Sequence, residues 1–339
     1  MAPGAYKFMV KSAAEAVALI REKLGPDARV LSVRAVEPKG LGRFFRAPRL
    51  EVIAQVDAPS GAARQAPASA PEPALAEAES DTPIAGGRIP AAPPTGLAGL
   101  LRRSGLTETA LNHLQSRANW SELNSLPLHR ALAETSRLLC QHAGARAPRA
   151  PISRAAFLGA PGVGRTTALC KWLSIEVFRR ARFGHVVSVE FDRPNPLGQL
   201  PVFSEALGIP FAHFPCETQP ATESGFVYFD LPGLSPRRPA DNNQIADFLD
   251  REKINERVLV LNAAYDRASL RNAYAAGKDL GATHLAFTHV DEVPQWGKLW
   301  DYLFDEDLEP LFLSTGPSLT GDCEEDVPGA IARKTLPDS

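Results

Sequence analysis

Apolar positions along this chain fall into two periods. Alternation in YKFMV (6–10), ARVLSVRAV (28–36) and RLEVIAQV (49–56) predicts three strands. Between the first two, Ala13, Val17, Ile20 and Leu24 recur at helical spacing. Ser12 and Glu15 supply the S-x-x-E of a capping box, and Gly25-Pro26 supplies the stop. Residues 1–57 therefore read as an α+β module. Residues 58–95 break the pattern: prolines 59, 67, 71, 73, 83, 90, 93 and 94 sit among Ala, Ser, Glu and Gly. Such a tract buries too little apolar surface to offset its ordering entropy, so it predicts a disordered tether.

Helical periodicity returns over 96–148, a small helical domain. GLAGLLRRSG and TETALNHLQSRA are short amphipathic pieces, and 126–144 is a longer helix with Leu128, Leu132, Thr135 and Leu139 on one packing face. From 149 to 318 strands alternate with helices: AAFLGA, HVVSVEFD, GFVYFDLPG, RVLVLNAA, ATHLAFTHVDE and EPLFLSTG are the strands. Alternation of this kind predicts an α/β domain, a mostly parallel sheet with helices on both faces and ligands at the carboxyl ends of its strands. The remainder, 319–339, reads as a flexible tail.

Composition narrows the class. Of 339 residues 44% are hydrophobic, enough for a sizeable core, and the net charge of −2 argues against a nucleic-acid-coating protein. Cys140, Cys170, Cys216 and Cys323 form no C-x-x-C pair and read as reduced thiols, and the histidines show no metal-ligand spacing. With no membrane-span or signal-peptide pattern, the expected location is cytoplasmic, with peripheral attachment to the membrane through partners. The segment KGLGRFFRAPR (39–49) reads either as a solvated hairpin loop or as a basic-aromatic tip for an anionic membrane or a partner.

Three stretches carry chemistry. GAPGVGRTT (159–167) follows a strand and opens a helix, the context of a phosphate-binding loop. Gly159, Gly162 and Gly164 let backbone N–H groups around Val163 turn toward phosphate oxygens, the helix N-terminus adds its dipole, and Thr166, followed by Thr167, supplies a hydroxyl for Mg²⁺. Where the motif has lysine stands Arg165. Its wider, planar head keeps the charge but does not reach the β,γ-bridging position without displacing the loop. In FDLPGL (229–234), Asp230 closes a strand and Gly233 follows, the arrangement for an outer-sphere metal contact and a γ-phosphate-sensing amide. In THVDE (288–292), Asp291 is placed to accept from guanine N1–H and the exocyclic amine, with Thr288 before it and His289 where a lysine normally packs over the base.

On these stations, and on SAAEAVALIREKLGPDARVLSVRAV, DLPGLSPRRPADNNQIADFL and LVLNAAYDRASLRNAYAAGKDLGATHLAFTHVDE, the chain resembles the signal-recognition-particle (SRP) GTPases, and among them the FlhF-type flagellar biosynthesis GTPases. The resemblance implies a P-loop G domain that binds GTP with Mg²⁺ and forms a homodimer through that domain. It also implies flagellar assembly and membrane-associated partners. It departs at the polar stations. The family's D-T-x-R reads DRPN (192–195), so Asp192 carries over as a metal contact, whereas the arginine position is Asn195, with Arg193 two residues away. D-T-A-G-R reads DLPGL, without Thr and Arg. Loss confined to groups that stabilise phosphate charge predicts weakened or lost hydrolysis, and leaves a nucleotide-free interaction scaffold as the alternative.

Overall fold

The structure, a computed structural model, describes residues 5–10, 13–25, 28–36, 49–56, 96–144, 151–192, 194–217 and 225–336. Ser12 with its capping box, most of the basic-aromatic segment 39–49, the tract 58–95 and Arg193 lie outside the described residues. At the N-terminus, strand β1 (Ala5–Val10), helix α1 (Ala13–Leu24) and strands β2 (Ala28–Val36) and β3 (Arg49–Val56) form an antiparallel sheet with β3 in the middle. Alternation along β3 turns Val52 and Ala54 inward, where they meet Val10 and the α1 residues Ala16 and Ile20 in one apolar cluster.

Four helices follow: α2 (Leu97–Arg103), α3 (Glu108–Arg117), α4 (Trp120–Ser125) and α5 (Leu128–Ala143). Thr107 and Asn119 cap α3 and α4, accepting from the Ala110 and Glu122 amides. The buried row of α5 is Ala131, Thr135, Leu139 and Ala143, and Leu128, expected on that face, is 52% exposed. These residues follow one another at a spacing of four, a row that Leu128 does not share.

The main sheet gathers β4 (Arg154–Leu158), β5 (Gly184–Ser188), β6 (Phe211–His213), β7 (Phe226–Asp230), β8 (Glu256–Asn262), β9 (His284–Thr288), β10 (Glu309–Ser314) and β11 (Cys323–Glu324) in the order β11-β10-β9-β8-β4-β7-β5-β6. All pairs are parallel except β10–β11. The crossovers carry α6 (Arg165–Ser174), extended by a π-helical turn at Ile175–Arg179, then α7 (Leu200–Leu207), α8 (Asn243–Arg251), α9 (Arg267–Asp279) and the short α10 (Trp300–Leu303). Because β4 lies between β7 and β8, the loop leaving its carboxyl end emerges at the middle of the sheet edge.

Two buried charges sit on α6 and its π-turn. Glu176 accepts from Arg180 (3.0 Å), Arg182 (2.7 Å) and the Tyr228 hydroxyl (3.0 Å). Burial and the neighbouring Glu176 charge push that hydroxyl well above its ordinary pKa. Lys171 donates its ammonium to the carbonyls of Gly316 and, at 2.9 Å, Asp322. Burial is the first cause lowering the pKa of Lys171.

These bonds overturn the expected flexible tail. Beyond residue 318 the chain adds β11 to the sheet and forms α11 (Val327–Thr335). Ser174 donates to the Leu319 carbonyl (2.9 Å), Arg179 and Arg180 grip Glu325, and Val327, Ile331 and Leu336 are buried. Its polar composition hid a short amphipathic helix whose partner face, α5, lies far away in sequence. Deleting 319–339 should therefore cost on the order of 5 kcal/mol, from the three large apolar side chains alone. Urea denaturation of the truncated and full chains tests this, and an unchanged midpoint would restore the tail reading.

Candidate functional site

The loop between β4 and α6 is held open by glycine and fastened from below. Gly162 (φ 81°) and Gly164 (φ 80°) take left-handed backbone conformations, and Gly164 is the N-cap immediately before α6. A Cβ on Gly159 would lie 2.8 Å from a Val163 methyl and 3.0 Å from the Val260 carbonyl. Val163 is buried, and the Thr288 hydroxyl at the end of β9 donates to its carbonyl at 2.6 Å. Val163 and Thr288 thus join the loop to the sheet. His289, in a left-handed conformation (φ 54°), lays its ring against Gly164, where an added Cβ would be 3.3 Å from His289 Cε1. Gly233 presses on the loop tip in the same way, an added Cβ falling 2.6 Å from Pro161 Cγ, and the Leu234 amide donates to the Gly159 carbonyl (3.0 Å).

Beneath the loop lies a polar network. Arg165, 8% exposed, donates from Nε to Asp230 Oδ1 (2.8 Å), from Nη2 to Asn195 Oδ1 (2.8 Å) and from Nη1 to the Gly159 carbonyl (3.4 Å). Thr166 donates its hydroxyl proton to the other oxygen of Asp230 (2.8 Å). Asn195 Nδ2 donates to the Asp230 carbonyl (2.9 Å) and has the Ser188 hydroxyl and the Val189 carbonyl within 3.2 Å. Asp230 is wholly buried, so its charge depends on Arg165 for compensation.

Above the network the groove has two compartments that meet at Gly164 and Thr167. The first, about 380 Å³, is bordered by Pro161, Gly162, Arg165, Thr166, Pro196 and Gly233. The second, about 340 Å³, is bordered by Thr288, His289, Asp291, Glu292, Ser314 and Gly316. Asp291 is exposed, and among the described residues its carboxylate accepts no hydrogen bond. The carboxylate is therefore open to a ligand in the second compartment.

The expected residues are thus brought to one edge, with two differences. Arg165 runs beneath the loop instead of along it. Asp192, paired in sequence with Thr166 as metal ligands, is exposed and accepts from the Gln244 side chain on α8. The Thr166 hydroxyl and the Arg165 guanidinium both hold the Asp230 carboxylate, so a divalent cation at Thr166 would share that carboxylate with the guanidinium. The sequence reading missed the packing of Asn195 against Arg165 and the wall of Ser314 and Gly316. That wall closes the strand EPLFLSTG, so the rule that ligands sit at carboxyl ends of strands would have flagged it.

With this geometry in hand, the chain has the fold of the SRP-type GTPases. The SRP receptor FtsY from Elizabethkingia anophelis in complex with GDP superposes with a TM-score of 0.52 at 15% identity, covering 71% of this chain and 84% of that one. The resemblance to FlhF also holds. FlhF complexed with GTP and Mg²⁺ superposes with a TM-score of 0.55 at 18% identity, covering 69% of this chain and 96% of that one. The flagellar biosynthesis protein FlhF of Bacillus subtilis (strain 168) is 22% identical over 362 residues, spanning 96% of this chain and 98% of its own length. No family model matches the chain.

The network makes a stability statement. Asp230→Ala leaves the Arg165 guanidinium buried without its anion, and breaking one side of such a pair costs about 3–5 kcal/mol. The expected result is a chemical-denaturation midpoint lowered accordingly. A change below about 1 kcal/mol would show that water or another anion readily replaces the carboxylate.

Proposed function

We propose that this chain is an FlhF-like GTP-binding protein acting in flagellum assembly or placement, with hydrolysis weakened or lost. The observation that carries the binding half is the open glycine loop joined, through Gly164 and Thr167, to a compartment with Asp291 on its wall. Loop amides at the start of α6 suit the triphosphate. Asp291 accepts from the two adjacent N–H donors of guanine, a pair adenine lacks. Similarity to FlhF along nearly the whole chain supports the flagellar role. A homodimer through the G domain, flagellar and membrane-associated partners and a cytoplasmic location belong to the same reading. Among the described residues no helix is long and apolar enough to cross a membrane.

The catalytic half rests on what the polar groups are doing. Phosphoryl transfer to water needs cationic stabilisation of charge developing on the transferred group, and a missing arginine costs about 10³-fold or more. Arg165 is committed to Asp230 and Asn195, and where the family pattern has its arginine this chain has Asn195. The same closed pair favours a second reading, a nucleotide-free scaffold.

Titration of the full chain with a fluorescent GTP analogue separates the two. Saturable binding, displaced by GDP but not by ATP and weakened at least tenfold by Asp291→Ala (~1.4 kcal/mol), is expected; no binding favours the scaffold. Steady-state phosphate release should stay near the protein-free background. Asn195→Arg should not rescue it, because the new guanidinium would replace the acceptor 2.8 Å from Arg165 with a like charge. Turnover at the rate of ordinary SRP-type GTPases would overturn the loss of hydrolysis.

A further inference from the structure

We infer that Lys334, on the C-terminal helix α11, is a specificity-determining residue for the nucleotide base. Its ammonium donates to the 6-oxygen of guanine while Asp291 accepts from N1–H and the exocyclic amine. The inference rests on the GTP reading above for the nature of the ligand, but its own basis is a third cavity. That cavity, about 550 Å³, meets the second compartment at Asp291 and is also bordered by Pro294, Trp296, Thr315 and Lys334.

Both charges on this cavity are uncommitted. Among the described residues Asp291 and Lys334 form no ion pair with each other, and neither has another hydrogen-bond partner. The adjacent Arg333 behaves differently, reaching Asp326 at 3.1 Å and Glu324 at 3.9 Å. The helix dipole accounts for a cation in the last turn of α11. It does not account for one that borders the same cavity as a free carboxylate without closing onto it.

Two opposite charges held apart across one space fit a ligand that carries donors and an acceptor side by side. The edge of guanine has this order: the 2-amino group, N1–H and the 6-oxygen. Adenine has an acceptor at N1 and an amine at position 6, which would set its amine against the ammonium. The two charges are also placed from behind. Val290 is buried and the Glu292 amide donates to the His289 carbonyl (3.2 Å), fixing the short turn that carries Asp291. On α11, Asp326 accepts from the Gly329 amide (3.1 Å), Trp300 Nε1 donates to the Thr335 hydroxyl (3.2 Å), and Ile331 and Leu336 are buried. Lys334, between these anchors, is exposed and has room to reach a base. With His289 where the family pattern has a lysine, α11 brings an ammonium to Asp291 from elsewhere in the chain.

The test is displacement of a fluorescent GTP analogue from the full chain, in Mg²⁺, by GTP and by 6-thioguanosine triphosphate. The thio compound keeps both donors but carries a weak acceptor at position 6. Lys334→Met should weaken GTP by about fivefold or more, the loss of one charge-assisted hydrogen bond, and weaken the thio compound by less than about twofold. Lys334→Arg should restore the wild-type preference for the oxygen. Equal losses with the two nucleotides would assign Lys334 to the ribose or the phosphates and overturn the inference, as would no loss with either; both results leave the GTP reading intact. Failure of wild type to bind either nucleotide would instead defeat the GTP reading and the inference with it. Should Lys334→Met fail to fold, Lys334→Ala gives the same comparison.

Discussion

One ion pair, Arg165 with Asp230, governs the functional edge of this molecule. It joins the first residue of α6 to the last residue of β7, and through Asn195 it draws in the segment that follows β5. Neither partner is solvated enough to stand alone, so these segments keep their relative positions as long as the pair exists. The net stabilisation from forming such a pair is small, since desolvation offsets attraction. Its effect lies in the asymmetry: made, it is nearly neutral, but broken, it strands a charge in the interior. The loop above it inherits this rigidity, because the Gly159 carbonyl accepts from both Arg165 and the Leu234 amide.

The same logic recurs deeper under α6. Lys171 and Glu176 are charges on a nearly buried helix and its π-turn; Lys171 is satisfied by distant carbonyls, and Glu176 by the nearby Arg180 and Arg182 together with the distant Tyr228 hydroxyl. Lys171 holds the turn that contributes Gly316 to the second compartment, so the C-terminal segment shapes the wall opposite Asp291. The N-terminal module also reaches this region: Arg21 of α1 donates to the Arg179 carbonyl at 3.3 Å. Rearrangement at the π-turn would therefore be felt at both ends of the chain.

What was legible in the sequence was local. Strand alternation, the glycines of 159–164 and the order of the three stations follow from constraints acting over a few residues, and these appear where expected. What was not legible depends on partners far along the chain. Arg165 meets Asp230 across 65 positions, and Lys171 meets Asp322 across 151. The same distance hid the ordered C-terminal helix, because α11 shows its purpose only against α5. Leu128 was misjudged for a related reason: helical periodicity finds an apolar stripe, but which row is buried depends on what packs against it.

The departures from the SRP-type pattern at 165 and 195 meet in a single hydrogen bond of 2.8 Å. Taken one at a time, an arginine in place of lysine and an asparagine in place of arginine look like two separate losses. Together they are complementary. A guanidinium at 165 needs a planar acceptor opposite it, which an arginine at 195 could not provide and an asparagine does. That asparagine in turn donates to the Asp230 carbonyl, so the residue whose carboxylate holds the guanidinium is itself held by the second acceptor. Unconstrained drift would leave unsatisfied buried polar atoms here; instead the side-chain nitrogens and oxygens of Arg165, Asp230 and Asn195 each find partners. The site is therefore better understood as one coordinated exchange, in which a single shared guanidinium stands where the family pattern has a lysine and an arginine.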